Sequence, residues 1–318
     1  MANIVLSGKC NLRCPYCFAE DFTCEQSEDM SLDSFYKALD FIAEEGSVGL
    51  IGGEPLIYKN FHTVMDFLNN DMRFHSVTVF TNGVYIDKHI DVLCAYKTKI
   101  LVNLNSSEDI GKDKYERIVN NISLLCDRGM RNNITLGINI YKENQDISEF
   151  IDTLCRFSMN KARISVTIPQ DKSEGAIPYF IRMKPTLLNI YKQFKENGIA
   201  PCYDCNVIPH CVFTPDEIEF LKTLPYTSYH ERELILGNRA VCAPIVDIYP
   251  DLSATRCFGC YDDLKVYIED FKSLSDLKNH FFMEIDARRV HTKSSGECTN
   301  CYDYKTFACF GGCLCYKK

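Results

Sequence analysis

Three cysteines near the start of the chain, Cys10, Cys14 and Cys17 in KCNLRCPYCF, have three and then two residues between them. Thiolates are soft ligands for iron and zinc, and a structural zinc site takes four protein ligands. Three thiolates on one loop can instead hold three irons of a cubane cluster and leave the fourth iron open to a reactant. The alternative is a zinc site completed by a distant ligand, Cys24 or a His.

The chain has 18 cysteines, unevenly spread. Cys94, Cys126 and Cys155 stand alone beside Leu in predicted amphipathic helices and read as core, since a free Cys packs as a small hydrophobe. Eleven more, from Cys202 to Cys315, crowd the last third. There Cys242 and Cys257 have fourteen residues between them, and Cys298-x2-Cys301-x7-Cys309-x3-Cys313 is followed by Cys315. Upstream, PCYDCNVIPHC adds Cys202, Cys205 and Cys211. Paired Cys-x2-Cys units suit a zinc-knuckle module as well as clusters.

The elements that must position these residues alternate. ANIVLS, SVGLIGG, SVTVFTNG, KILVNLNSS, ITLGINIY and ARISVTIP read as strands, with amphipathic helices between them. In SLDSFYKALDFIAEEG, Ser31 is the expected N-cap, Phe35, Leu39 and Ile42 share a face, and Gly46 ends the helix. Six strand–helix units, the last helix being PTLLNIYKQFKENG, predict a parallel α/β sheet curled into an open, partial (β/α)6 barrel. Ligands then belong at the C-terminal ends of the strands, where the cysteine loop, GGEP, TNG and NLNSS fall. After Gly198 the alternation stops, so the expected domains are a core over residues 1–198 and a small irregular cysteine-rich domain over 199–318.

Composition narrows the function. The 318 residues are 46% hydrophobic and carry a net charge of −8, from 35 basic and 43 acidic side chains. That excess of acid argues against nucleic acid as the main partner and against tRNA modification. No apolar run reaches the roughly 18–20 residues that span a bilayer, and MANIVLSGKC lacks a secretory signal. The expectation is a cytoplasmic protein without a membrane partner, in a reducing compartment where thiols bind metal rather than form disulfides. The acidic stretch EQSED over residues 25–29 reads as a solvated loop. His62, His75, His89 and His280 read as structural or exposed, while His210 and His291 are weak ligand candidates.

Cys10-x3-Cys14-x2-Cys17, with Tyr16 before the last cysteine, resembles the signature of the radical S-adenosylmethionine (SAM) superfamily. Gly52-Gly53-Glu54-Pro55 is similar to that family's motif for the methionine amino group, and Thr81-Asn82-Gly83 ends the third strand as in many members. Asn103 and Asn105 stand where many relatives carry Ser and Asp near the SAM ribose. The resemblance covers about residues 1–190. It implies that Cys10, Cys14 and Cys17 hold a catalytic [4Fe–4S] cluster, and that Tyr16, Gly52, Gly53, Glu54, Pro55, Thr81, Asn82, Asn103 and Asn105 surround SAM. One electron, from a flavodoxin- or ferredoxin-type donor, then cleaves SAM to a 5′-deoxyadenosyl radical that abstracts a substrate hydrogen.

The last third resembles the SPASM or shorter twitch extensions, which bind auxiliary [4Fe–4S] clusters. It diverges from them: Leu252 stands where a Gly is usual, and a gap of seven residues replaces five. The resemblance implies one or two auxiliary clusters. One grouping is Cys205, Cys211, Cys242 and Cys257 for one cluster, and Cys298, Cys301, Cys309 plus Cys313 or Cys315 for the other, with Cys202 and Cys260 in surplus. Relatives with this extension act on ribosomally made peptides, forming thioether or carbon–carbon crosslinks, epimerising or oxidising residues. A peptide maturase is therefore the expected function, with a thioether as the favoured product. Because the chain opens directly on its first strand, no leader-binding domain is expected ahead of it; this weakens the peptide reading without removing it, since leader contacts could be made elsewhere. A dehydrogenase or epimerase acting on a sugar or other small molecule is the alternative enzyme. An iron–sulfur electron carrier or metal-binding scaffold without SAM chemistry is the alternative of another class.

Overall fold

The structure, a computed structural model, describes residues 2–17, 19, 22–23, 27–95, 97–167, 174–203, 208–236, 244–261, 264–314 and 317. Contacts divide the chain into two compact units, Met1–Leu136 with Pro244–Phe282, and Gly137–Ala243 with Met283–Lys318. The division by composition at residue 198 is a different cut.

Strands and helices alternate as the hydrophobic pattern requires. Strands β1 (Ala2–Val5), β2 (Ser47–Ile51), β3 (Ser76–Thr81), β4 (Thr98–Asn103), β5 (Ile134–Ile140) and β6 (Lys161–Val166) are separated by helices α1 (Leu32–Ile42), α2 (Phe61–Asn70), α3 (Ile90–Leu93), α4 (Ser107–Ile110), α5 (Lys112–Asp127) and α6 (Ser148–Arg156), and α7 (Ala176–Glu196) follows β6. This is the parallel α/β architecture of a partial barrel. In the first unit β1 pairs with β2, β2 with β3 and β3 with β4, all parallel and in unbroken register from Ala2↔Val48 to Thr81↔Val102.

Helix α1 shows how the sequence sets an element. Ser31 Oγ accepts from the Ser34 amide, and Phe35, Ala38, Leu39 and Ile42 are buried on one face. Each such buried Leu, Ile or Phe contributes roughly 1.5–3 kcal/mol, whereas an exposed ion pair such as Arg73–Asp40 contributes under about 1 kcal/mol. The apolar face, not the surface charge, therefore holds the helix to the sheet.

The structure adds strands that the pattern did not announce. In the second unit β7 (Ala200–Tyr203) pairs parallel with β6, in a stretch whose Pro and Cys masked its strand character. In the first unit β8 (Asp247–Ile248) joins β1 in parallel, and β9 (Ser253–Thr255) and β10 (Val266–Tyr267) extend it antiparallel. The turn between β8 and β9 holds Leu252 at φ +62°, a left-handed conformation that suits glycine. The reading of three isolated cysteines as core is corrected. Cys155 is exposed, and Cys94 and Cys126 are half-buried. In α6 the buried face is Phe150, Ile151, Thr153 and Leu154, so Cys155 falls on the opposite side.

Candidate active site

The C-terminal ends of β1 to β4 converge on the three-cysteine loop. The loop leaves β1 under tight backbone control. Leu6 N donates to Ile51 O (2.9 Å), Gly53 N to Ser7 O (2.8 Å) and Glu54 N to Lys9 O (2.8 Å). A Cβ on Gly52 would lie 2.3 Å from Ser7 O, and one on Gly53 2.2 Å from Lys9 O. The two glycines thus let β2 close against the root of the cysteine loop, a nearer reason for them than room for a ligand.

Asp29 pins the same root. It accepts from Ser7 Oγ (2.8 Å) and Lys9 Nζ (3.1 Å), with its side chain only 15% exposed. This corrects the reading of Asp29 as part of a solvated acidic loop. The contact spans 22 residues, so no local pattern revealed it. Further along, Phe22 packs edge-on against Tyr249 (5.3 Å) and lies 6.4 Å from Phe258 and 6.3 Å from Tyr261. The described part of the loop is therefore fixed at both ends.

Glu54 is buried at 1% exposure. Its Oε1 accepts from Thr81 Oγ1 (2.7 Å) and Leu56 N (3.0 Å), and its Oε2 from Asn82 N (2.7 Å). Burial pushes its pKa up to about 7 against the pull of those donors. A carboxylate offers about four acceptor sites, so Oε2 keeps one for an outside cation. Pro55 opens the short turn that follows and is buried.

The asparagines brace the loop. Asn82 Nδ2 donates to Asn11 Oδ1 (2.8 Å) and lies 4.0 Å from Cys10 Sγ. Asn103 donates to the Tyr16 hydroxyl (3.3 Å) and Asn105 to Cys14 Sγ (3.3 Å), while Asn105 Oδ1 is buried without a hydrogen-bond partner in the described residues. Tyr16 also hydrogen-bonds Cys14. Asn11 was not foreseen; its place inside the cysteine motif was the only signal.

The thiols face one another. Burial, then Cys10 and Cys17, push Cys14 up to about 12; burial also raises Cys10, with Glu54 and Cys17 adding to it. Among the described residues no three His, Cys, Asp or Glu side chains converge tightly enough to chelate one ion. Thiols within electrostatic reach of one another on one loop could hold a cluster, whose metal charge would strip their protons. Cys24, the candidate fourth ligand for zinc, lies outside the described residues.

The C-terminal thiols fall in both units. In the first, Cys257 accepts from Arg256 Nη1 at 3.8 Å, and Cys260 is fully buried. Beside Cys257, Asp247 accepts from Asn3 Nδ2 (2.7 Å) and is pushed up to about 8, chiefly by burial. In the second unit Cys211 lies within electrostatic reach of Cys309, Cys298 and Cys301. Its thiol is pushed up to about 11 by loss of water contact first and then by these three. Cys309 Sγ accepts from Gly311 N (3.2 Å), and Cys298 and Cys313 are buried. Cys202 sits on β7 opposite Arg163. Cys205, Cys242 and Cys315 lie outside the described residues. Lys317, unforeseen, is fully buried beside this group. A cavity of about 320 Å³ lined by His291, Lys293, Tyr304, Lys305 and Phe307 opens onto Cys309.

The description "Radical SAM superfamily" fits residues 4–154. Residues 4–154 are a radical SAM domain. The cofactors of radical SAM enzymes are SAM and a [4Fe–4S] cluster, and the three-thiol loop and Glu54 fit both. Curated relatives match a little under half of the chain. The antilisterial bacteriocin subtilosin biosynthesis protein AlbA of Bacillus subtilis is 26% identical over 156 residues, 45% of this chain and 34% of AlbA. A probable GTP 3′,8-cyclase of Methanococcus vannielii is 30% identical over 158 residues, 46% of this chain and 52% of the cyclase. The chain thus spans a third to a half of the length of these relatives.

Solved structures resemble nearly the whole chain. Streptococcus suis SuiB bound to S-adenosylmethionine matches with a TM-score of 0.62 and 16% identity, covering 98% of this chain and 72% of SuiB. Native anSMEcpe with bound AdoMet and Cp18Cys peptide matches with a TM-score of 0.66 and 17% identity, covering 98% of this chain and 88% of anSMEcpe. At such identity the likeness shows the fold alone, an α/β partial barrel. Among the described residues no helix is long and apolar enough to cross a membrane.

Proposed function

We propose that the chain is a radical SAM enzyme that modifies a peptide, working in the cytoplasm with a flavodoxin- or ferredoxin-type donor. The observation that carries the radical SAM chemistry is the braced loop of three thiols beside a buried carboxylate with acceptor capacity left. Cys10, Cys14 and Cys17 would hold the cluster. Glu54 would take the methionine ammonium, its buried carboxylate gaining the partner that burial demands. Asn82, Asn103 and Asn105 keep the loop in place, a role nearer to the observed bonds than contact with the ribose. The cofactors supply reductive cleavage of SAM and a radical that takes a hydrogen atom from the substrate.

The peptide rests on different support. The anSMEcpe structure holds a peptide, SuiB has been solved with precursor peptide SuiA, and AlbA serves bacteriocin biosynthesis. The cyclase match favours GTP as a second reading. That match covers 46% of this chain and 52% of the cyclase, so it weighs little on substrate choice. We further propose that Cys211 joins Cys298, Cys301 and Cys309 on one auxiliary cluster. The earlier grouping placed Cys211 with Cys257. The proximity of Cys211 to the other three favours the new set, with Cys313 as the competing fourth ligand.

The test is anaerobic reconstitution and dithionite reduction with SAM, reading 5′-deoxyadenosine. Product from the parent and none from Cys10→Ala is expected; equal traces from both would leave an electron carrier or scaffold. Candidate precursor peptides and GTP, added separately, separate the two substrates by a mass change on one and not the other.

A further inference from the structure

The second unit buries a lysine that no carboxylate answers among the described residues; burial pushes its pKa down, and Cys309, Cys298 and Cys313 oppose that. Lys317 is 0% exposed. Its Nζ donates to Val290 O at 3.5 Å and to Phe310 O, and stands 6.0 Å from the centre of the Tyr304 ring. Among the described residues it makes no ion pair with Asp or Glu. Carbonyls and a ring face carry only partial charge, and burying an ammonium with nothing more costs several kcal/mol. Among the described residues the groups within electrostatic reach are Cys309, Cys298 and Cys313. Phe310, whose carbonyl takes the Nζ proton, is the residue after Cys309 in sequence, and Cε lies 3.5 Å from where a Cβ on Gly311 would stand. Neutral thiols do not balance a cation; thiolates on a cluster do.

We propose that Lys317 is the built-in counter-charge of an auxiliary iron–sulfur cluster held by Cys298, Cys301 and Cys309, and that it raises the reduction potential of that cluster. The inference rests on the auxiliary-cluster reading given above. A cubane cluster on four thiolates is a net anion, and taking one electron from a low-potential donor adds one more negative charge with no bond made or broken. A fixed positive charge in a low-dielectric setting favours the more negative state, so the oxidised cluster accepts that electron more readily. Lys317 is thereby a means of setting the driving force for electron entry, distinct from any contact with substrate.

The test uses the full chain carrying Cys10→Ala, Cys14→Ala and Cys17→Ala, so that the remaining iron signals come from auxiliary sites. After anaerobic reconstitution, iron content and the midpoint potential by EPR-monitored redox titration are read for this parent and for added Lys317→Met, Lys317→Gln and Lys317→Arg. Both neutral variants should keep the iron and titrate more negative by at least about 59 mV, tenfold in a one-electron equilibrium. The Arg variant should titrate with the parent. Loss of iron from both neutral variants but not from Arg also supports the charge. Unchanged potential at parental iron content overturns the role of Lys317 alone, as does loss of iron from all three variants. A parent without iron overturns the auxiliary cluster and this inference together.

Discussion

Glu54 and Asp247 are carboxyl groups whose protons are held by burial, and that has a measurable sign. Glu54 releases its proton at about 7 instead of 4.5, and Asp247 at about 8 instead of 3.8. Between each pair of values the folded chain keeps a proton that the unfolded chain has lost, so stability of the ligand-free protein falls as pH rises through the window. For Glu54 the effect is on the order of 3 kcal/mol at neutral pH. Urea unfolding of the metal-free protein at pH 5 and pH 7.5 should show the decline, and Glu54→Gln should make it shallower, with Asp247 keeping its share; a Gln variant with the parental slope would assign the effect elsewhere. At this scale the sequence displayed the thiols and Glu54 through their motifs. It concealed Asp29, Asn11 and Lys317, because each acts through a partner that chain order does not reveal.

Elements were legible where a pattern repeats. The Ser31 cap, the Phe35–Leu39–Ile42 face and the first six strands follow from periodicity, since one buried face must recur every turn or every second residue. β7 to β10 were not legible: the last three are two or three residues long, too short for any period. One turn among them retains a trace of its constraint. Leu252 stands where similar extensions carry Gly, and its φ of +62° is the conformation Gly would supply freely. A non-glycine residue there costs about 1–2 kcal/mol, partly offset by the greater freedom of Gly in the unfolded chain. Leu252→Gly should therefore stabilise the protein by about 1 kcal/mol, read as a Tm higher by about 2 °C. An unchanged or lower Tm would mean that the half-buried Leu side chain contributes more than its backbone costs.

The three-thiol loop and the proposed auxiliary set lie in separate units. Cys10, Cys14 and Cys17 belong to one, and Cys211, Cys298, Cys301 and Cys309 to the other. Composition suggested a cut at residue 198, yet contacts interleave the chain, because β8 returns to pair with β1. Each site should therefore load independently. Alanine at Cys298, Cys301 and Cys309 together should remove about four irons per chain, preserve 5′-deoxyadenosine formation and abolish peptide modification; loss of the nucleoside product as well would make the second site a requirement of the first. The buried thiol of Cys14, pushed up to about 12, carries a further consequence. Only the thiolate reacts with oxidants and alkylating agents. The metal-free chain should therefore lose Cys14 to alkylating agents more slowly than a free thiol, read as the rate of iodoacetamide labelling at that position.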